Sequence, residues 1–194
     1  MKILYIKSEL KEGSKPSVIA EYFLEKVAQK NKNIEIITLD LSVQKIGSIA
    51  LNSNNFSSFW TEVEADKWIN LLKTVDKVVI STPIINWHYS AEIKNFFDAI
   101  CLADKTFSYK YSKKGGSIGL LTNIKNVQII TTYHAPEAQR PLINAENAIA
   151  GTFEFIGAQK INDPIILFQG YLLDKNEDVI EKLSSKIEAA VETF

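Results

Sequence analysis

Short apolar runs, each followed by a segment with helical spacing, constrain the fold of this 194-residue chain most strongly. Ile3–Ile6 is apolar without alternation, which is typical of a strand buried on both faces of a sheet. Apolar residues between Val18 and Ala28 then recur at helical spacing, and Pro16 suits the first turn of a helix because its missing N–H costs nothing there. This alternation predicts a parallel sheet with helices on both faces.

The rest of the chain continues the same alternation. It predicts further strands at Ile34–Leu41, Val78–Ser81, Val127–Thr132 and Ile161–Phe168. It predicts further helices over Phe59–Thr74, Ala91–Leu102 (with Ser90 as N-cap), Asn144–Ile156 and Glu177–Val191. Ser42–Asn55 has no clean period and is predicted to be a loop, whereas Lys105–Asn126 fits either a short strand at Ser117–Leu121 or a helical turn. We therefore expect an α/β, doubly wound fold in one domain over residues 1–194.

Composition and charge narrow the class of protein. The formal net charge of −1 gives no electrostatic reason to expect binding to nucleic acid or to an anionic membrane. No segment approaches the roughly 20 apolar residues of a membrane span, and the N-terminus lacks the features of a signal peptide. The single cysteine, Cys101, rules out an intrachain disulfide. We expect a soluble cytoplasmic protein.

Ligands of such sheets bind beyond the carboxyl ends of the strands, which directs attention to three loops. The first, Ser8–Ser17, has three serines, a glycine and two lysines ahead of a helix. A helix N-terminus attracts phosphate, and Ser14, Lys15 and Ser17 could add donors and charge. The Walker and dinucleotide glycine motifs are absent, so the alternative is an ordinary serine-capped helix start.

The second and third loops are Pro83–Tyr89 and Thr131–Ala135. Asn86, Trp87 and neighbouring backbone groups could line a planar ligand, or the aromatic residues could simply close the end of the core. His134 could act as a general acid, as histidine side chains often do, although a loop histidine is more often a solvated surface residue.

Metal and nucleophile chemistry find little support in the sequence. His88, His134 and Cys101 have no zinc-ligand spacing, so we predict no metal site. Cys101 falls near the apolar face of a predicted helix, where cysteine usually behaves as a small hydrophobe. A cysteine nucleophile is therefore not expected, and the sequence shows no obvious catalytic residue.

The segment P83-I-I-N-W-H-Y-S-A-E-I-K-N-F-F-D98 resembles a motif of the FMN-dependent NADH-azoreductase family, within the flavodoxin-like quinone reductases. The matching residues are Pro83, Asn86, Trp87, Lys94, Asn95, Phe96 and Asp98. Further matches are Lys7-Ser8, T106-F-S-Y109 and G151-T-F-E-F-I-G157, so the resemblance covers essentially the whole chain.

The resemblance implies a flavodoxin-like five-stranded parallel sheet that binds FMN tightly and without a covalent bond. It assigns the FMN phosphate to Ser8, Ser14, Lys15 and Ser17. It assigns the isoalloxazine ring to Ile84, Ile85, Asn86 and Trp87, with Thr131 and Thr132 at its polar edge. The family is typically a homodimer, which would place Phe153 in the substrate pocket of the partner's site.

The activity implied by the resemblance is two-electron reduction of quinones and reductive cleavage of azo compounds by a ping-pong hydride transfer. NADH gives a hydride to the flavin and leaves, and the acceptor then uses the same pocket. Other readings are a flavodoxin-type electron carrier, which is typically shorter and strongly acidic, and a binding module without cofactor.

Two positions depart from the family's pattern. Pro16 removes a backbone N–H from the phosphate loop. Thr132-Tyr133-His134-Ala135 stands where relatives usually have a glycine-rich turn, so unusual backbone angles are harder to adopt. We expect the contact with the ring edge to differ, with Tyr133 or His134 in the substrate pocket.

Overall fold

The fold is a five-stranded, all-parallel sheet with helices on both faces, as the computed structural model of residues 1–110 and 115–194 shows. The strands are β1 (Lys2–Lys7), β2 (Glu35–Asp40), β3 (Lys77–Pro83), β4 (Phe107–Ser108), β5 (Ile118–Gly119), β6 (Asn126–Thr132) and β7 (Ile165–Leu167). Their order in the sheet is β2-β1-β3-β6-β7, while β4 and β5 form a separate antiparallel pair. The predicted doubly wound sheet is confirmed.

The helices connect these strands in chain order. They are α1 (Lys15–Lys30), α2 (Lys45–Ser48), α3 (Phe59–Glu62), α4 (Ala65–Leu72), α5 (Ala91–Ile100), α6 (Ala145–Ile156) and α7 (Asn176–Thr193). The predicted N-cap of α5 is confirmed, because the Ser90 hydroxyl accepts a hydrogen bond from the Ile93 N–H.

Two hydrophobic clusters, one on each face, hold the layers together. Ile3 and Tyr5 of β1 point into the cluster that contains the apolar sides of α1 and α7. Leu4 and Ile6 point the other way, into the cluster formed with α3 to α6. Because both faces of β1 are buried, its sequence cannot alternate, which explains the continuous apolar run. Each such side chain contributes roughly 1.5–3 kcal/mol by leaving water.

The predicted helix over Phe59–Thr74 is wrong as a single element. It is divided into α3 and α4 at Glu64, which has a left-handed backbone with φ of 54°. Val63 and Ala65 are both buried, although two positions apart they cannot lie on one face of a continuous helix. The break at Glu64 resets the phase, so both apolar stripes reach the core.

Two other elements differ from the prediction. The predicted loop Ser42–Asn55 begins with helical structure, since a 3₁₀ turn covers Leu41–Val43 and α2 follows it with Ile46 buried. The predicted last strand is shorter, because Pro164 lacks the N–H that would continue the ladder toward Ile161.

The segment Lys105–Asn126 contains β4 and β5, so the strand reading at Ser117–Leu121 is confirmed; residues 111–114 lie outside the described residues. Among the described residues, no helix combines the length and apolar composition needed to cross a membrane.

Close packing of two glycines joins β5 to the end of α6. A Cβ atom on Gly119 would lie 2.2 Å from the Gly157 nitrogen, inside any permitted contact. We predict that Gly119→Ala lowers the free energy of unfolding by about 1–3 kcal/mol or more, because backbone must move to admit the methyl group. Urea unfolding measures this change. Gly151→Ala is the matched control, since its Cβ would meet nothing within 4 Å; equal midpoints for the two variants would contradict the prediction.

Candidate active site at the carboxyl edge of the sheet

A cavity of about 600 Å³ lies at the carboxyl edge, beyond the ends of β1, β3 and β6. Small-molecule sites usually span roughly 300–1,000 Å³. The cavity is lined by Leu10, Lys11, Gly13, Ser14, Lys15, Pro16, Pro83, Thr132, Tyr133, His134, Gly170, Tyr171, Asp174 and Asn176. The predicted residues Ser14, Lys15, Thr132, Tyr133 and His134 are therefore brought together.

The segment between β7 and α7, together with the first residue of α7, supplies four lining residues that sequence reasoning missed: Gly170, Tyr171, Asp174 and Asn176. The search covered the loops after three strands only. The available signal was position, because the segment after every strand of a parallel sheet begins at the same carboxyl edge.

A second cavity of about 540 Å³ lies at the opposite edge, between the start of β7 and the end of α7. Its lining includes Lys160, Asn162 and Lys186. Open parallel sheets bind their ligands beyond the carboxyl ends of strands, so the cavity at the carboxyl edge is the candidate site.

One end of the candidate cavity is formed by the start of α1. Ser14 is the N-cap residue, but its hydroxyl makes no capping bond and donates to Glu9 Oε2 over 3.0 Å. The Ser14 N–H lies 3.3 Å from the same oxygen, and Lys7 Nζ lies 2.7 Å from Glu9 Oε1. Burial by itself raises the pKa of Glu9, but hydrogen bonds from Lys7 and two serines outweigh it and lower the pKa. The Ser14 donors are therefore bound to Glu9 in this structure, and Lys11 and Lys15 are the cations that line this end of the cavity and suit an anion.

Two of the predicted phosphate residues are placed deeper. Ser8 is fully buried, and its hydroxyl donates to Glu92 Oε2 over 2.7 Å and lies 2.5 Å from Ser90 Oγ. Ser17 is also buried, 3.5 Å from Ser14 Oγ. Ser8 therefore joins the end of β1 to the start of α5, and neither side chain is part of the cavity lining.

The loop after β3 forms a tight turn that carries Asn86 and Trp87. Ile85 and His88 exchange two backbone hydrogen bonds of 2.7 and 2.9 Å. Asn86 and Trp87 between them have φ of 49° and 70°. A left-handed conformation costs an ordinary L-residue roughly 1–2 kcal/mol, and such strain is concentrated at functional sites. The turn leaves Trp87 41% exposed, with its ring 6.4 Å from the ring of the cavity-lining Tyr133, although neither Asn86 nor Trp87 is itself part of the cavity lining.

The loop after β6 follows a path that its sequence did not suggest. The Tyr133 N–H bonds to the Leu167 carbonyl, and the Ile84 N–H bonds to the Thr132 carbonyl. The Tyr133 ring is 2% exposed, stacks on Phe168 with centroids 5.0 Å apart, and lies 6.4 Å from the Trp87 ring. Tyr133 belongs to the lining of the cavity, where its buried ring forms part of the wall, and its place in a substrate pocket stays a prediction.

Glu146 organises this loop, and sequence reasoning missed it. Its carboxylate is 2% exposed and accepts hydrogen bonds from Thr131 Oγ1 (2.5 Å), Tyr133 OH (2.9 Å) and Arg140 Nη2 (3.0 Å). Burial, together with the Glu146 charge and hydrogen bond, raises the pKa of Tyr133, so its hydroxyl stays protonated and donates. Glutamate in the first turn of a helix is ordinary, and nothing in the sequence sets this one apart. Thr131 is fully buried and points to Glu146 rather than into the cavity.

His134 and Tyr171 form the mouth of the cavity. Both side chains are exposed, and their rings stack with centroids 5.6 Å apart and an interplanar angle of 25°. His134 therefore lies at the exposed rim of the cavity, and its place in a substrate pocket stays a prediction. Phe153 does not reach this site, because it is fully buried against Phe97 in the core on the α5–α6 face.

Cys101 is the C-cap residue of α5 rather than a helix-interior residue, since the helix ends at Ile100. Burial raises the pKa of its thiol to about 11. Among the described residues, no group of three or more His, Cys, Asp or Glu side chains is arranged to hold a metal ion.

Comparisons with known proteins identify the family to which the chain belongs. The family model described as "flavodoxin-like fold" matches residues 1–191, and the chain belongs to that family. Among curated relatives, the FMN-dependent NADH:quinone oxidoreductase of Mycoplasma mobile is 42% identical, covering 100% of this chain and 98% of its own. The protein of the same name from Mycoplasmopsis pulmonis is 39% identical, covering 100% and 99%.

Solved structures share the fold at lower identity. An azoreductase from Bacillus anthracis has a TM-score of 0.77 at 21% identity, over 99% of this chain and 97% of that one. An FMN-dependent NADH-azoreductase from the same species, solved in complex with FMN, has a TM-score of 0.75 at 18% identity, over 100% and 99%.

The raised pKa of Cys101 predicts slow and strongly pH-dependent alkylation. Only the thiolate reacts, so with a pKa of about 11 the rate with iodoacetamide should rise about tenfold per pH unit between pH 7 and pH 9. Mass spectrometry of samples quenched over time measures this rate. A rate that levels off by pH 9 contradicts the prediction, and the urea-unfolded chain is the control for an ordinary cysteine.

Proposed function

We propose that this chain is an FMN-dependent NADH:quinone oxidoreductase that also reduces azo compounds. The observation that carries the proposal is the cavity at the carboxyl edge, in a chain that matches curated enzymes of that name from end to end. We propose further that residues 1–194 form a single flavodoxin-like FMN-binding domain.

The residues present fit FMN, which has an anionic end and a planar end. Ser14 and Lys15 at the start of α1, with Lys11, suit a phosphate group. At the other end, the strained turn with Trp87 and the wall made by Tyr133 suit a flat aromatic ring.

We assign roles to the other predicted residues from their positions. We assign the backbone groups of Ile84, Ile85 and Asn86 to the ring end, together with Thr132, whose carbonyl accepts a hydrogen bond from the Ile84 N–H. The side chains of Ser8, Ser17 and Thr131 are buried. We therefore propose that they support the loops around the cavity and do not contact FMN directly.

FMN supplies hydride acceptance and two-electron transfer, and the protein supplies binding and orientation. The stacked pair of His134 and Tyr171 at the mouth offers a flat surface on which a nicotinamide or a quinone can lie. Shared use of one mouth by donor and acceptor is consistent with a ping-pong order.

We propose a cytoplasmic homodimer that binds neither nucleic acid nor membrane. Leu142 and Ile143, just before α6, are 97% and 90% exposed, which is unusual for adjacent large apolar residues and supports contact with a second subunit. The free Cys101 is consistent with a reducing compartment. Phe153 is not part of the proposed substrate pocket, because it has no exposed surface.

The test of the function is turnover by the purified, FMN-loaded chain. We expect NADH absorbance to fall rapidly once menadione is added, more slowly with an azo dye, and double-reciprocal plots with parallel lines. Retained flavin without NADH oxidation by any quinone would favour an electron carrier. A chain that retains no flavin would favour a binding module without cofactor.

Ser14→Ala tests the phosphate end separately from the ring end. The Ser14 hydroxyl donates to Glu9 in this structure and would turn to the phosphate when FMN binds. Its loss should therefore weaken FMN binding about tenfold, because hydrogen bonds to charged groups contribute roughly 1.5–3 kcal/mol. Riboflavin lacks the phosphate, so its affinity should stay unchanged. Quenching of flavin fluorescence measures both dissociation constants. Ser57→Ala, at an exposed serine outside the cavity, is the control, and an equal loss for both flavins would argue against a phosphate at Ser14.

A further inference from the structure

We propose that Glu146 is a positioning residue that sets the geometry of the ring end of the cavity, with Arg140 as its charge partner. The inference rests on the proposed function, because it concerns how the chain holds a flavin ring. It assigns a role to a residue in α6 that does not itself line the cavity.

The contacts of Glu146 tie three parts of the chain to one buried point. Its Oε1 accepts a hydrogen bond from the Thr131 hydroxyl, and its Oε2 accepts hydrogen bonds from the Tyr133 hydroxyl and from Arg140 Nη2. Thr131 belongs to β6, Tyr133 follows β6 directly, and Arg140 ends the 3₁₀ turn Glu137–Gln139. A carboxylate that is 2% exposed is tolerated only with such donors, so the arrangement has few alternatives.

The site of Glu146 in the first turn of α6 adds to this rigidity. Asn144 caps the helix by accepting a bond from the Asn147 N–H, which fixes the backbone that carries Glu146. The positive end of the helix dipole favours a negative charge there. The anchor therefore belongs to a packed helix, while the groups it holds belong to a loop.

The fixed orientation of the Tyr133 ring determines the surface of the cavity wall that a bound flavin ring would contact. The hydrogen bond to Glu146 and the stack on Phe168 leave the Tyr133 ring one orientation, 6.4 Å from Trp87. The next residue is His134, which stacks on Tyr171 at the mouth. Glycine is absent from Thr131–Ala135, so side-chain anchoring replaces a backbone turn as the means of shaping this loop.

The test compares FMN and riboflavin binding to Glu146→Gln in the full chain after removal of flavin. The amide carries no charge and has one oxygen in place of two, so it cannot hold all three donors. We expect both flavins to bind about tenfold more weakly, with the ratio of their dissociation constants unchanged. We also expect a shift in the visible absorption bands of bound flavin, which report the surroundings of the ring.

Glu154→Gln is the matched control, because it makes the same change on an exposed position of the same helix. It should leave both affinities and the flavin spectrum as in the unmodified chain. Tyr133→Phe provides a second variant that keeps the ring and removes only the donor to Glu146. It should shift the flavin spectrum in the same direction and weaken both flavins equally.

Each outcome bears on the proposal. Unchanged riboflavin affinity and flavin spectrum in Glu146→Gln, or a loss confined to FMN, overturns it. If Glu146→Gln fails to fold, the result of Tyr133→Phe decides, and unchanged binding and spectrum in that variant overturn the proposal. An unmodified chain that binds neither flavin refutes the proposed function itself, whereas normal binding with unaffected variants refutes only the role of Glu146.

Discussion

Burial of the central strands on both faces is the constraint on which the rest of the structure depends. Leu4, Ile6, Val79 and Ile80 have essentially no exposed surface, because helices cover both sides of the sheet. A ligand can therefore enter only at an edge of the sheet. Parallel pairing brings the ends of β1, β3 and β6 to the same edge, so segments far apart in the chain meet around one cavity.

Two buried carboxylates stiffen the loops around that cavity. Glu9 accepts hydrogen bonds from the N–H and hydroxyl of Ser14 and pairs with the ammonium of Lys7. Glu146 accepts hydrogen bonds from Thr131 and from Tyr133 in the loop after β6. A buried charge costs free energy unless its partners are well placed, so each carboxylate favours one loop conformation over others. The loops are therefore organised by charge as well as by backbone ladders.

Backbone strain also shapes the loops around the cavity. Asn86 and Trp87 adopt left-handed angles without being glycine, and the hydrogen bonds between Ile85 and His88 hold them there. The loop after β6 reaches its shape without such strain. The Tyr133 hydroxyl donates to Glu146, which holds the Tyr133 ring inward and leaves His134 at the mouth. Neighbouring loops thus reach defined shapes by unrelated means, and the ring end of the cavity is the place where they meet.

The sequence by itself determined the sheet, its parallel sense and the three loops at its edge, because continuous apolar runs and helical spacing are local patterns. It also determined that Ser14, Lys15 and Trp87 belong to those loops. Only the tertiary structure decided that Phe59–Thr74 breaks at Glu64, that Phe153 is core, that Tyr171 lies at the mouth, and that Glu146 anchors Tyr133. Those features depend on which side chains meet across the fold, and no local pattern records a contact between residues that are distant along the chain or on separate elements.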